Sequence, residues 1–221
     1  LRLEEELGKL LYVKDENNRT FDYDLAANNL LMDTLRARNF KGEVFSEETK
    51  WTKFGTSREI IITDPICNSS LLRRGFRNVA SGVTFFRGKE FVAGALTDFG
   101  TQTMCIANAT RVLRIGFVGD KEVVVSNALV SGKKELEDAF VVLSLYSKEY
   151  RKEAIKQRRL LEGLPLIVEV MGGQPNWSRL TQGNIDAYLS PFHGTRIYEM
   201  ATGEIAKRAG AIVYDLGGNE I

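Results

Sequence analysis

No segment constrains this chain more than Glu59-Ile60-Ile61-Ile62 followed at once by Thr63-Asp64-Pro65-Ile66-Cys67-Asn68-Ser69-Ser70. The apolar, β-branched run reads as a buried strand. Pro65 is expected to end that strand and to hold the next turn rigid, because its ring fixes φ and removes a backbone donor. An acid at the mouth of a buried strand, followed by a hydroxyl-rich turn, suits metal and phosphate binding. Hydroxyls and backbone N–H groups hold phosphate oxygens, while a carboxylate holds a hard cation.

The elements around this segment divide the chain into two halves. Leu1 to Leu11 reads as the tail of an amphipathic helix, and Lys14 to Arg19 as a polar turn. A second helix is expected from about Asp24 to Arg38, with Leu25, Ala26, Leu30, Leu31 and Leu35 roughly on one face. Gly42 to Phe45 reads as a short strand that ends at Ser46-Glu47-Glu48. From Gly82 to Val125 the pattern is β, punctuated at Arg87-Gly88-Lys89 and Gly119-Asp120-Lys121. Ser131 to Glu162 reads as mostly helical, with a break near Ser147. Strands are expected at 166–170 and 185–189, a helix at 195–209 and a last short strand at 211–214. Helices, then a meander, then alternating helix and strand give an α+β layered architecture. Residues 1–126 form the part that carries the large sheet and 127–221 a smaller αβ part, as intimate subdomains of one unit.

Composition narrows the possible partners. A net charge of +1 over 221 residues gives no reason to expect nucleic acid or an anionic membrane. No apolar run approaches the roughly 18 residues that span a bilayer. No signal peptide is visible, although the sequence opens with Leu1 rather than Met, and a cytoplasmic location is expected. Two cysteines, Cys67 and Cys105, fit a reduced compartment better than a disulfide scaffold.

Four acids sit where elements end: Asp24, Glu47, Asp64 and Glu199. Each has an ordinary role open to it. Asp24 suits a helix cap, Glu47 a solvated loop, and Glu199 the first turns of a helix, where it complements the dipole. Asp64 is harder to dismiss, because a hydrophilic group directly follows a buried strand. None lies near another in sequence, so only the fold could bring them together.

The order of these segments resembles the inositol monophosphatase and fructose-1,6-bisphosphatase superfamily of metal-dependent phosphatases. That family reads Gly-Glu-Glu, then Asp-Pro-Ile/Leu-Asp-Gly-Thr/Ser, then Trp-Asp-x-Ala-Ala-Gly followed by a helix and Ala-Gly-Gly. This chain has Ser46-Glu47-Glu48, Asp64-Pro65-Ile66-Cys67-Asn68-Ser69-Ser70, Tyr198-Glu199-Met200-Ala201-Thr202-Gly203 and Arg208-Ala209-Gly210-Ala211. Weaker echoes lie at Gly119-Asp120-Lys121, Leu136-Glu137-Asp138-Ala139 and Gly183-Asn184-Ile185-Asp186-Ala187-Tyr188. The resemblance implies a layered α/β/α/β sandwich and Mg2+-dependent hydrolysis (Mn2+ as an alternative) of a phosphate monoester on a polyol or sugar. A homodimer is implied in the same way. In the family a further strand and helix usually follow the segment matching Ala211 to Asp215. This sequence ends at Ile221, so a shorter final layer and an omitted tail both stay open.

Carried over position by position, Glu47, Asp64 and the Ile66 carbonyl match the ligands of a first metal. Asp24 and Ser69 match the pair that orients and deprotonates the attacking water. Asp64, Glu199 and Cys67 match the ligands of a second metal. Asn68, Ser69 and Ser70 match the phosphate-contacting turn. Cys67 departs from the family's Asp: a thiol with an ordinary pKa of about 8.5 is mostly neutral at pH 7 and is a poor Mg2+ ligand. Asn68 stands where the family has Gly, and Asn tolerates the left-handed conformation better than most residues. Three readings follow: a phosphomonoesterase with one firm and one weak metal, a catalytically impaired phosphate-binding or regulatory protein, or an enzyme gated through the Cys67 thiol.

Other conspicuous residues have simpler readings. His193 is the only histidine and reads as a polar loop residue. Cys105 reads as a buried strand residue, and the basic run from Lys148 to Arg159 as a solvated helix. Arg73, Arg74 and Arg77 follow the phosphate-binding turn closely and are candidates for contact with a phosphate or a neighbouring subunit, although a basic face exposed to solvent is the favoured reading.

Overall fold

The β-branched run dominates the architecture that forms around it. The computed structural model describes residues 10–15, 18–118, 121–135, 139–145, 151–152, 155–156, 166–169, 173–190, 196–215 and 217–221. A hairpin comes first, β1 (Leu10–Asp15) with β2 (Asn18–Phe21), and leads into helix α1 (Asp22–Ala37). Strands β3 (Glu43–Ser46), β4 (Lys50–Lys53) and β5 (Glu59–Cys67) follow, then the single turn α2 (Ser69–Leu72). A meander completes the large sheet: β6 (Ala80–Arg87), β7 (Glu90–Asp98), β8 (Thr103–Asn108), β9 (Val112–Val118) and β10 (Lys121–Asn127). Its strand order is β10-β9-β8-β7-β6-β5-β3-β4, antiparallel throughout except for the parallel β3–β5 pair.

The remaining elements form the second half. They are β11 (Val141–Ser144), β12 (Leu166–Glu169), α3 (Gln174–Thr181), β13 (Ala187–Leu189), α4 (Ile197–Met200) and α5 (Gly203–Arg208). β11 pairs in parallel with β12 on one side and β13 on the other, making a three-stranded sheet.

Packing is layered as an α+β sandwich. On one face of the large sheet, Met32 of α1 meets Val44 and Ile61, with Leu35, Phe40, Phe54, Val83 and Phe85 around them. On the other face, α3 lies against β6 and β7, and α5 against β7 and β8. There Leu96, Cys105, Ala107 and Val112 meet Trp177, Leu180, Ile205 and Ala206, and Val142 of the small sheet joins the same core. In β8 the inward residues Thr103, Cys105 and Ala107 are buried while Ile106 and Asn108 are exposed, the period of two that a strand with one core face requires. Gly94 of β7 has no Cβ because one would stand 2.9 Å from Ile205 Cδ1, so its absence seats α5 on the sheet. Among the described residues no helix is long and apolar enough to cross a membrane.

Several expectations need correction. Leu10 and Leu11 lie in a strand rather than in the tail of a helix, and residues 1–9 lie outside the described set. Pro65 does not end β5: the strand continues to Cys67, and the β5–β6 register shifts between Asp64 and Cys67, an irregularity that accommodates a residue unable to donate to the ladder. In α1 the buried residues are Tyr23, Asp24, Asn28 and Met32, whereas Leu30 is 71% exposed. The stretch read as helical from Ser131 contains β11, whose four residues are all buried. The helix expected over 195–209 is two pieces, α4 and α5, separated at Ala201–Thr202. Residues 211–214 supply only a single bridge, Tyr214 to Glu220. The readings on Gly119-Asp120, Leu136-Glu137-Asp138, His193 and most of the basic run near Lys148 fall outside the described residues.

Leu96 is fully buried at the centre of the larger core. Leu96→Ala is expected to lower unfolding free energy by about 3 kcal/mol, read by urea denaturation with an unchanged m-value.

Candidate metal and phosphate site

Strand pairing brings two of the four acids together. Ser46 at the end of β3 pairs with Thr63 of β5, and the Glu47 N–H donates to the Thr63 carbonyl at 3.1 Å. Glu47 and Asp64 therefore leave adjacent parallel strands side by side. Glu199, in the short helix α4 that packs on β5, completes the group. Cys67 stands one bulge beyond Asp64, with Ile66 half-buried between them. Glu47, Asp64 and Cys67 are all buried, at 8%, 2% and 3% exposure, so they interact with little water between them.

The electrostatics record that crowding. Burial, then the Glu47 and Glu199 carboxylates, push the Asp64 carboxyl well above its ordinary range. Burial, then Asp64 and Glu199, push the Cys67 thiol well up, against the opposing pull of the Gln174 backbone N–H. Glu199 is raised to about 7 by burial and by Glu47, partly offset by Arg196. Arg196 brings a guanidinium to these acids, its Nη1 lying 3.4 Å from Glu47 Oε1.

Helix α3, which the sequence reading did not foresee, closes the other side. Gly173 adopts φ +85°, a conformation that L side chains rarely adopt, and a Cβ there would stand 2.8 Å from Cys67 Sγ and 3.5 Å from Glu199 Oε1. Gly82 gives similar clearance, since a Cβ on β6 would lie 2.5 Å from Gln174 Nε2. A positive-φ glycine with Pro175 in the first helical turn is a helix-start signal. The burial of Gln174, Asn176, Ser178 and Thr181 conceals it, because it erases the usual apolar stripe.

The phosphate-turn candidates lie where β5 runs into α2. Asn68 takes the left-handed conformation, φ 65°, and its Nδ2 donates to the Asn78 carbonyl at 3.1 Å. Asn78 Oδ1 in turn accepts from Arg179 Nη2 of α3 at 2.8 Å, tying the turn to that helix. Asn68, Ser69 and Ser70 are all half-buried. Asp24 is buried in the first turn of α1, where its Oδ2 accepts from the Phe21 N–H at 2.7 Å, so it does serve as a cap. Links from α1 run to both halves of the site: the Tyr23 hydroxyl donates to the Ser69 carbonyl at 2.5 Å, and Ser46 Oγ donates to Asn28 Oδ1 at 2.7 Å. Arg73, Arg74 and Arg77 are exposed, and Arg73 stacks over Phe21 at 5.6 Å.

The donor set fits a hard divalent cation at one position better than at two. Asp64 Oδ1 is buried with no hydrogen-bond partner among the described residues. A carboxylate oxygen in that state, among three acids, is short of positive charge. Glu47 and Asp64 could supply oxygens to such an ion. The Cys67 thiol, held neutral, does not suit the same chemistry. Among the described residues no three Asp, Glu, His or Cys side chains already stand in a metal-gripping arrangement.

Glu199 has a folded-state pKa of about 7 against an ordinary 4.5, so between those values the folded chain binds more protons than the unfolded one. Stability is then fullest below the lower value and is lost as pH rises through the upper one. With a chelator present, unfolding free energy is expected to fall by about 3 kcal/mol between pH 4.5 and 8, and by less in Glu199→Gln, read by urea titration at each pH.

No protein-family model and no curated protein matches this sequence. Solved structures do. The chain is similar to the extragenic suppressor protein SuhB of Bartonella henselae, with a TM-score of 0.77 and 17% identity over 98% of this chain and 80% of that one. An inositol monophosphatase-fructose 1,6 bisphosphatase matches with a TM-score of 0.75 and 18% identity over 99% and 79%. The IMPase of Thermotoga maritima matches with a TM-score of 0.74 and 17% identity over 99% and 82%. The fold of this chain is that of the inositol monophosphatase and fructose-1,6-bisphosphatase structures.

Proposed function

We propose that this chain is a divalent-cation-dependent phosphomonoesterase acting on a phosphate ester of a polyol or sugar. The observation that carries the reading is the meeting of the buried Glu47 and Asp64 with the half-buried Glu199 on an inositol-monophosphatase fold, with Asp64 Oδ1 left without a hydrogen bond among the described residues. Glu47, Asp64 and the Ile66 carbonyl would hold Mg2+ or Mn2+, which when bound supplies a Lewis acid and an acidified water. Ser69 and Asp24 orient the attacking water in line with the phosphorus, and Asp24 takes its proton. Asn68, Ser69 and Ser70 bind the non-bridging phosphate oxygens and hold the ester in attack geometry. Helix α3 and the Gly173 backbone wall off the Cys67 and Glu199 side of the site, keeping bulk water from the reacting group. Cys67 brings a neutral sulfur where a second oxygen-liganded cation would need charge, so turnover through one firm cation is slow.

Phosphate release from a panel of inositol, fructose, glycerol and nucleotide phosphates, with Mg2+ or Mn2+, tests this. The native chain is expected to release phosphate, Asp64→Asn to lose about 10²-fold or more, and Cys67→Asp to gain about 10-fold. Activity in Cys67→Asp alone would mean a site disabled at one ligand, in a protein that binds phosphate without turning it over. Silence from both, across the panel, would overturn the phosphatase reading.

A further inference from the structure

Arg196 is the feature of this site that neither the sequence motifs nor the proposed chemistry absorbs. It is the N-cap residue of α4, and its carbonyl accepts from the N–H groups of Glu199 and Met200 at 2.9 and 3.0 Å. Its backbone is therefore fixed to the same helical turn that carries Glu199. Its guanidinium turns back across the strand ends, and Nη1 lies 3.4 Å from Glu47 Oε1. The same Nη1 donates to the Tyr198 hydroxyl at 2.6 Å, with the guanidinium carbon 5.9 Å from that ring's centroid. Lys50, the other cation beside Tyr198, donates to the Glu47 carbonyl at 3.1 Å, on the backbone side of the same residue.

We infer that Arg196 is a built-in counter-cation of the carboxylate cluster, anchored by Tyr198 and displaced from Glu47 when a divalent cation binds. The inference rests on the metal-dependent reading above. A planar guanidinium neutralises one carboxylate through directed hydrogen bonds and needs no cation from solution. A divalent ion brings twice the charge and demands the same Glu47 oxygens, so the two compete for one ligand. The Arg196 side chain is 35% exposed against 10% for Glu47, so it has solvent to swing into without unfolding α4. The affinity for the ion is then reduced by the fraction of molecules in which Arg196 holds Glu47, in the manner of any ligand that must wait for a competent state.

Mn2+ alone is the probe. Its binding to chelator-stripped native protein, Arg196→Gln, Tyr198→Phe and Asp64→Asn is measured by electron paramagnetic resonance of the free ion, with melting temperatures of each variant in chelator and in saturating Mn2+. Arg196→Gln is expected to bind Mn2+ about 10-fold tighter than native, to melt lower in chelator, and to regain the difference in Mn2+. Tyr198→Phe keeps the charge but loses the anchor, and is expected to bind Mn2+ tighter by a smaller factor. Asp64→Asn is expected to lose Mn2+ binding. If Mn2+ binds the native protein through Asp64 but Arg196→Gln and Tyr198→Phe bind it no tighter, the competition is overturned and the metal-dependent reading stands. If no variant binds Mn2+, both are overturned.

Discussion

The arrangement of this molecule turns on the burial of Asp64 against two other acids. A carboxylate taken out of water at the end of a β-branched strand is costly unless something compensates for its charge. The surrounding structure is organised around that cost. The parallel β3–β5 pair sets Glu47 beside Asp64, the β5 irregularity around Pro65 brings Cys67 round to the same side, and α4 carries both Glu199 and Arg196 to the cluster. The polar stripe at the start of α1, Asp24 and Asn28, belongs to the same scheme: it replaces apolar packing with hydrogen bonds where the site needs anchoring.

Clearances matter as much as charges. At Gly82 and Gly173 a methyl group would collide with the α3 side of the site, and Gly173 also requires a backbone that other residues rarely adopt. Asn68 meets a similar demand with a side chain attached, and uses that side chain to bond to Asn78 and, through it, to Arg179. The turn that holds the phosphate candidates is thereby braced from α1 by Tyr23 and from α3 by Arg179.

Much of this was legible in the sequence, for physical reasons. The Glu59–Ile62 run, the alternation through the meander and the order of the acid-bearing segments each follow from local periodicity or from motif order. What stayed hidden depended on tertiary context. Val141 to Ser144 is only four residues inside a charged, helix-favouring stretch, and only pairing with β12 and β13 makes it a strand. Helix α3 buries polar side chains, so no apolar stripe announced it. Leu30 fits the apolar face on a helical wheel yet faces solvent, because the core side of α1 begins as part of the site and turns apolar only at Met32. Arg196 carries no motif; its three-residue spacing before Glu199 acquires meaning only once α4 docks beside Glu47.

The small sheet and the large one are closed over connections of different length. β11 is its central strand, and both of its parallel partners arrive from distant parts of the chain. The antiparallel hairpins of the large sheet close over short connections, whereas parallel pairing must first meet the entropy of long loops. The parallel β3–β5 pair that carries Glu47 and Asp64 is joined through the short β4 strand, so these two acids meet over a short stretch of chain. Glu199 and Arg196 share the single turn of α4, so the third acid and its neutralising cation are held on one piece of backbone. Moving α4 away from β5 therefore removes an acid and a cation together and leaves the net charge of the cluster unchanged.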